Sequence, residues 1–172
     1  AIPAGNGSGT ITVTLSDDAV YEGNETIILT MGTPTNADAS GVTQHTITIT
    51  DNDAQPEVAF DIATSGIVEP ASGDNFLNIR INLTGGTAFP ASVDYVVTAG
   101  TATGGGTDYT LASGTVNFAV GVTYVYISPT VYADALVEGD ETFTITLSNP
   151  VNAQLGSMMN NTVTIMDNIT AL

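Results

Sequence analysis

Apolar and polar residues alternate through most of the chain. The pattern is clearest in five segments, at residues 10–15 (TITVTL), 26–29 (TIIL), 46–49 (TITI), 77–83 (LNIRINL) and 142–147 (TFTITL). A period of two places successive side chains on opposite faces, which is typical of half-buried strands. Turn-forming clusters such as 85–86 (GG) and 104–106 (GGG) separate these segments, and no window of about 12 residues has a helical period. The pattern predicts an all-β chain whose short strands form a sandwich.

The chain repeats itself at an offset of 116 residues, the distance from Glu22 to Glu138. The motif EGNET at residues 22–26 recurs as EGDET at residues 138–142, and the pair DN at residues 51–52 recurs at residues 167–168. Residues 1–53 therefore correspond to the C-terminal half of a repeat. We call them the half unit. Residues 57–169 are the complete unit, and residues 54–56 are a short linker.

The half unit raises a packing problem. Its three predicted strands cannot close a sandwich, so they would leave apolar faces and strand edges uncovered. The apolar residues expected to face a core are Ile11, Val13, Leu15, Ile27, Leu29, Ile47 and Ile49. The covering strands come either from upstream residues of a longer protein or from another chain by strand addition. Adjacent identical repeats, or neighbouring subunits that complete residues 1–53, are therefore the expected partners.

Charge excludes several classes of partner. The chain has 18 Asp and Glu residues and a single Lys or Arg, which is Arg80, and its net charge is −17. A basic nucleic-acid-binding face is excluded, so no nucleic acid is expected as a partner. No apolar run reaches the roughly 20 residues of a membrane-spanning helix, and no signal-peptide pattern occurs, so no membrane insertion is expected. Cysteine is absent, which removes disulfides and Cys-based zinc sites.

The acidic residues gather where the predicted strands begin and end. In both copies an acidic block lies just before a strand and the Asp-Asn pair lies just after the last strand, so antiparallel pairing would bring both groups to one pole. Two carboxylates 4 Å apart repel by roughly 1 kcal/mol in water. With almost no Lys or Arg available, a divalent cation is the natural counter-charge, and oxygen ligands favour Ca²⁺. The alternative is that these are solvated loop acids. The spacing is not that of an EF-hand.

Several motifs taken together resemble the Calx-β domain. They are VDY at residues 93–95, GTAT at 100–103, TDY at 107–109, SGTVNF at 113–118 and the acidic run from Asp134 to the EGDET motif. The resemblance implies an immunoglobulin-like Greek-key antiparallel β-sandwich that binds Ca²⁺ at one pole. It implies calcium ligands in the complete unit at Glu69, Asp108, Asp134, Glu138, Glu141 and Asp167. In the half unit it implies ligands at Asp17, Asp18, Glu22, Glu25, Asp51 and Asp53.

The two copies differ within the implied ligand sets. Ala133 stands where the half unit has Asp17, and Ile169 stands where it has Asp53. We therefore expect fewer ions or weaker binding in the complete unit.

Catalysis is not expected. The only histidine, His45, has no nucleophile placed beside it by any motif, tryptophan is absent, and aromatic residues such as Tyr126 are interpreted as core or cross-strand packing rather than a sugar platform. The sequence and the resemblance together favour a calcium-binding structural repeat of an extracellular adhesin stalk or filament at the cell surface, which Ca²⁺ stiffens. The alternatives are a calcium-regulated sensor or ligand-binding module and a carbohydrate-binding module, for which a glycan or surface ligand would be the partner.

Overall fold

The structure of this chain is a computed structural model that describes residues 2–168. It consists mainly of β-strands. The half unit contributes β1 (Val20–Tyr21), β2 (Glu25–Thr30) and β3 (Gln44–Ile49). The front half of the complete unit contributes β4 (Glu57–Phe60), β5 (Thr64–Val68), β6 (Asp74–Phe76), β7 (Ile79–Thr84), β8 (Gly86–Thr87), β9 (Ala91–Ala99), β10 (Tyr109–Thr110) and β11 (Gly114–Phe118). Its back half contributes β12 (Tyr124–Ile127), β13 (Thr130–Tyr132), β14 (Glu141–Val151), β15 (Gln154–Leu155) and β16 (Asn160–Met166). Within residues 2–168 no helix is long and apolar enough to cross a membrane.

The complete unit is a sandwich of two layers. One layer is a five-stranded sheet in the order β11-β9-β14-β16-β5. The other consists of the sheets β12-β7-β4-β15 and β10-β13-β6, which continue one another because the Leu77 N–H donates to the Pro129 carbonyl at 3.2 Å. Pro129 has no N–H to offer, which accounts for the break between β12 and β13. Most pairs are antiparallel, while β5 with β16 and β4 with β15 are parallel. The predicted all-β sandwich is confirmed.

The core lies between the two layers and follows the predicted period of two. Alternate residues of β14, namely Phe143, Ile145 and Leu147, are fully or almost fully buried. The Tyr109 ring stacks on the Phe143 ring with 3.9 Å between centroids, which anchors the short strand β10 against the five-stranded sheet. Because the inner residues of each strand are fixed in this way, the strand ends are held in place at the poles.

The prediction of a strand at residues 10–15 is wrong. This segment has no strand structure, and Ile11 is 75% exposed whereas its repeat counterpart Ile127 is 7% exposed. Leu15 is 56% exposed and its counterpart Val131 is fully buried. The physical reason is visible in the complete unit, where the counterpart strands β12 and β13 pair with β7, β6 and β10. All three partners belong to the front half, which the half unit lacks within this chain.

The rest of the half unit is the hairpin of β2 and β3, paired in antiparallel fashion from Glu25 and Ile49 to Thr30 and Gln44. Four of the residues expected to face a core lie on one side of this hairpin and are only partly buried, namely Ile27, Leu29, Ile47 and Ile49. Val13, outside the hairpin, is also exposed. The apolar face predicted from the sequence therefore exists but is largely uncovered.

A short parallel pairing connects the half unit to the complete unit. In it β1 runs beside β8, with Val20 opposite Gly86 and Tyr21 opposite Thr87. The Ala88 N–H donates to the Tyr21 carbonyl at 3.0 Å, and the Tyr21 ring meets the Phe89 ring edge-on at 6.4 Å. We call this contact the joint. The joint connects the acidic end of the half unit to the end of the complete unit that lies away from that unit's own acidic residues.

Candidate metal centre

Six acidic residues of the complete unit meet at one pole of the sandwich. Each lies at a strand end or in the turn beside one, so the register of the sheets determines their grouping. They are Glu69 after β5, Asp108 before β10, Asp134 after β13, Glu138 and Glu141 at the start of β14, and Asp167 after β16. They line a cavity of about 10 Å³, roughly the volume of one water molecule or ion.

Backbone hydrogen bonds hold the acidic turn of the complete unit in place. One oxygen of Asp167, Oδ2, accepts from the N–H of Glu138 at 3.0 Å and from that of Gly139 at 2.9 Å. Asp134 Oδ1 accepts from the Leu136 N–H at 2.8 Å, which closes a tight turn. These bonds fix the orientation of two carboxylates that line the cavity.

Three carboxylates come close enough to share an ion. Asp108, Asp134 and Glu138 each offer an oxygen, and these oxygens lie within 4.8 Å of one another. Two oxygens bound to one Ca²⁺ at about 2.4 Å can be at most about 4.8 Å apart, so the spacing fits a single ion. Glu69 Oε1 accepts from the Asp134 N–H at 2.7 Å, and the Asn168 amide donates to the Glu69 carbonyl at 2.8 Å. Glu69 thus positions Asp134 as well as lining the cavity.

Two glutamates at this pole have raised pKa values. Burial, followed by a hydrogen bond with the Asp108 carboxyl, raises the pKa of Glu141 to about 7. Burial and the charge of Asp134 also raise the pKa of Glu138. In both residues burial is the larger cause, and the neighbouring carboxylates add to it because they oppose ionisation. The chain's only Lys or Arg, Arg80, is not at this pole, because its guanidinium lies 4.2 Å from the centre of the Tyr124 ring. A bound cation would supply the missing positive charge.

The half unit builds the same turn from different residues. Its six implied ligands, Asp17, Asp18, Glu22, Glu25, Asp51 and Asp53, line one cavity of about 60 Å³. Asp51 Oδ2 accepts from the N–H of Glu22 at 2.9 Å and from that of Gly23 at 2.6 Å, as Asp167 does in the complete unit. Asp18 Oδ1 accepts from the Val20 N–H at 2.9 Å, as Asp134 does from Leu136. The acidic turn therefore forms without the front half of the repeat.

The two poles differ at the two positions noted in the sequence. Asp17 accepts from the Asn52 side chain at 3.3 Å, and the Asp53 N–H donates to Asp51 Oδ1 at 2.9 Å. In the complete unit Ala133 replaces the first of these acids, and Ile169, which replaces the second, lies outside the described residues. At the repeat offset, counterparts of Glu69 and Asp108 would fall before residue 1. Residues 1–53 thus supply two acids that have no counterpart in the complete unit, and Glu69 and Asp108 have no counterparts among residues 1–53.

Repulsion is also present at the half-unit pole. The charge of Asp18, followed by that of Glu25, raises the pKa of Glu22. Burial and the charge of Asp51 raise the pKa of Asp53. The backbone N–H of Asp53 lowers the pKa of Asp51, because this hydrogen bond favours the charged carboxylate. Asp51 is therefore held ionised at the centre of the cluster.

Sequence reasoning missed residues that shape the turn without contributing a carboxylate. Gly23 and Gly139 have φ values of 70° and 78°, a conformation that favours glycine and that presents their N–H groups to Asp51 and Asp167. Asn24 Oδ1 also accepts from the Asp51 N–H at 3.0 Å. The recurrence of EG in both copies could have identified these two glycines, because a glycine repeated at the same position indicates a backbone conformation that other residues rarely adopt.

Comparison with known proteins identifies relatives of the whole chain. The model of the Calx-beta domain family matches residues 3–53 and 51–169. The human extracellular matrix organizing protein FRAS1 is 30% identical over 165 residues, which cover 91% of this chain and 4% of FRAS1. The chain therefore spans a small fraction of that relative's length.

Solved structures of Calx domains are also similar to this chain. The apo-form Calx CBD1 domain is 29% identical with a TM-score of 0.61, covering 67% of this chain and all of that domain. The calcium binding domain CBD12 of CALX1.1 is 30% identical with a TM-score of 0.59, covering 65% of this chain and 46% of that one.

Proposed function

This chain belongs to the Calx-β domain family, and from that premise we propose that it is a calcium-binding structural repeat of an extracellular stalk or filament. In this proposal Ca²⁺ binds at the acidic pole of each unit and stiffens it. The extracellular setting is supported by the name of the relative FRAS1, an extracellular matrix organizing protein. Calcium binding is supported by the similarity to the calcium binding domain CBD12 of CALX1.1.

The observation that carries the proposal is the recurrence of one hydrogen-bonded acidic turn in both units. In each, an Asp after the last strand accepts from two consecutive N–H groups, and an Asp earlier in the turn accepts from a third. These bonds orient carboxylates that line one cavity in each unit, which supports a shared ion over separately solvated loop acids. The surrounding ligand set consists only of oxygen, which suits a hard ion that accepts six to eight ligands.

Stiffening follows from where the half-unit pole lies. Glu22 directly follows the docked strand β1, and Asp53 directly precedes the linker to the complete unit. An ion held by these two side chains would tie the joint to the linker. Both connections between the units would then be fixed by one ion.

The decisive experiment is thermal unfolding of the chain with Ca²⁺ or with a chelator. Extracellular calcium modules bind with dissociation constants of about 10⁻⁴ to 10⁻³ M, and a hundredfold excess of ion adds about 2.7 kcal/mol per independent site. We expect chelation to lower the melting temperature, and to lower it less in the double variant Asp134→Ala, Glu138→Ala. The matched control is Asp140→Ala, because Asp140 lies in the same turn but does not line the cavity. Melting curves that coincide with and without Ca²⁺ would refute calcium binding.

A second candidate, saccharide binding, is favoured by one surface on the outer face of β7 and β12. Tyr126, interpreted from the sequence as core or cross-strand packing, is 53% exposed and lines a cavity of about 230 Å³ with Arg80, Asp61 and Asn78. An exposed aromatic ring beside hydrogen-bonding groups suits a neutral sugar. If this candidate is correct, the chain binds neutral glycans and Tyr126→Ala weakens that binding. Glycan binding that is unchanged in the variant would eliminate the candidate.

A further inference from the structure

The two exposed apolar residues at the tip of the complete unit's acidic turn are the repeat counterparts of the joint strand. At the 116-residue offset Leu136 matches Val20, and Val137 matches Tyr21. Val20 and Tyr21 form β1, which is docked on β8, and both are partly buried. Leu136 and Val137 are 59% and 56% exposed. The same structural position is thus covered in one copy and uncovered in the other.

The turn that presents these residues is already in its docking shape. The Leu136 N–H donates to Asp134 at 2.8 Å, as the Val20 N–H donates to Asp18 at 2.9 Å. Docking would therefore require little reorganisation of the backbone, which lowers the entropic cost of association.

We propose that residues 136–137 are a docking strand for a following repeat of the same kind, and that they pair in parallel with its counterpart of Gly86–Thr87. The proposal rests on the proposed structural-repeat function and specifies its partner surface. A head-to-tail contact uses a different surface on each partner, so in repeats joined in series it can recur from one repeat to the next along a linear array.

The existing joint defines what the partner must offer. At Gly86 an added Cβ would lie 2.8 Å from the Ala19 carbonyl oxygen, so the partner strand needs a glycine at this position. Ala135 is the counterpart of Ala19, so its backbone carbonyl would occupy the corresponding position in the second joint. A second copy of this whole chain is a poor occupant, because its β8 is already paired with its own β1. The fitting occupant is a repeat whose glycine-containing strand is free, joined in series.

The second joint would differ from the first in its aromatic contacts. Tyr21 meets Phe89 edge-on and accepts a hydrogen bond from the Gln55 side chain at 3.0 Å. Val137 can make neither contact. The second joint is therefore held by backbone pairing and aliphatic burial alone, and we expect it to open more readily than the first.

The test is a tandem protein in which a copy of residues 57–168 is appended after Leu172, preserving the linker length. The natural chain contains no cysteine, so engineered pairs report unambiguously. Neighbouring strands lie about 4.8 Å apart, which is within disulfide range. Val137→Cys is combined with Thr87→Cys in the appended copy. Tyr21→Cys with Thr87→Cys in the original copy reports on the known joint and on folding. Val137→Cys with Thr98→Cys in the appended copy is the mismatched pair, because Thr98 lies near the far end of β9.

We expect the Val137 pair to form a disulfide at least ten times faster than the mismatched pair. Equal rates for the two pairs, while the known joint cross-links normally, would overturn the proposal. A measurement without cysteines is amide hydrogen exchange at the appended counterpart of Ala88, which should be slowed if docking occurs and unprotected if it does not. If cross-linking fails but Ca²⁺ still raises the melting temperature, only the docking proposal is wrong. If Ca²⁺ leaves the melting temperature unchanged but the cross-link forms, the proposed calcium function is wrong and the docking proposal is supported.

Discussion

The clearest test of the half unit compares two isoleucines that occupy the same position in the repeat. Ile127 is 7% exposed in β12, and Ile11 is 75% exposed in a segment without strand structure. Because the residue type is identical, replacing each by alanine removes the same atoms. The difference in cost therefore measures what burial under the front half contributes at this position of the repeat.

The expected magnitudes follow from burial. Truncating a buried isoleucine costs about 2–5 kcal/mol, and Ile127, near the end of its strand, should fall at about 2–4 kcal/mol. Burying an isoleucine fully is worth about 1.5–3 kcal/mol, so Ile11, which keeps only a quarter of that burial, should lose roughly 0.5 kcal/mol. At roughly 4 °C per kcal/mol, Ile127→Ala should lower the melting temperature by about 8–16 °C and Ile11→Ala by about 2 °C.

The assay is thermal unfolding followed by circular dichroism, with urea unfolding as an independent measurement. A second protein carries residues 57–116 ahead of residue 1, which supplies the half unit with a front half at the repeat spacing. In that protein Ile11→Ala should become as costly as Ile127→Ala. Equal costs in the original chain would show that the half unit has a core of its own, and the packing argument would be refuted.

Two other predictions concern the core and the joint. Phe143→Ala removes a fully buried ring stacked on Tyr109 and should cost about 3–5 kcal/mol in urea unfolding, and a cost below about 1 kcal/mol would contradict the observed packing. Gly86→Ala should separate β1 from β8, because its Cβ would meet the Ala19 carbonyl, and should speed hydrogen exchange at the Ala88 amide while leaving the rest of the complete unit protected. Unchanged protection at Ala88 would show that the joint tolerates a side chain there.

Period-two alternation was enough to predict the fold class, because each inner residue of a strand such as β14 must be apolar. It failed at residues 10–15, where the pattern is as regular as elsewhere but the hydrogen-bonding partners lie in the missing front half. Alternation reports that a segment can form a strand, whereas forming one requires an available edge. The joint was not predictable either, because β1 and β8 are two residues long and carry no periodic pattern.

The acidic pole was anticipated from charge spacing, since acids at strand ends gather wherever the strands are in register. What spacing could not give was the division of roles within the cluster. Asp167 and Asp51 use one oxygen to hold a backbone turn, and Glu69 holds Asp134. These roles depend on φ values and on contacts between residues far apart in the chain, so they appear only in three dimensions.

The last prediction concerns pH and uses the raised pKa of Glu141. Its folded-state pKa of about 7 lies above the ordinary glutamate value of 4.5, so between these values the folded chain binds more protons than the unfolded chain. Stability contributed by this group is fully present below pH 4.5 and is lost as the pH rises through about 7. Without Ca²⁺ the melting temperature should therefore show a decline over this window that is absent from Glu141→Gln, which isolates this group from the other carboxylates. With excess Ca²⁺ the decline should disappear, because an ion that binds the ionised carboxylates replaces the proton that Glu141 shares with Asp108. If wild type and Glu141→Gln keep the same pH dependence in chelator, the crowding inferred at this pole is wrong.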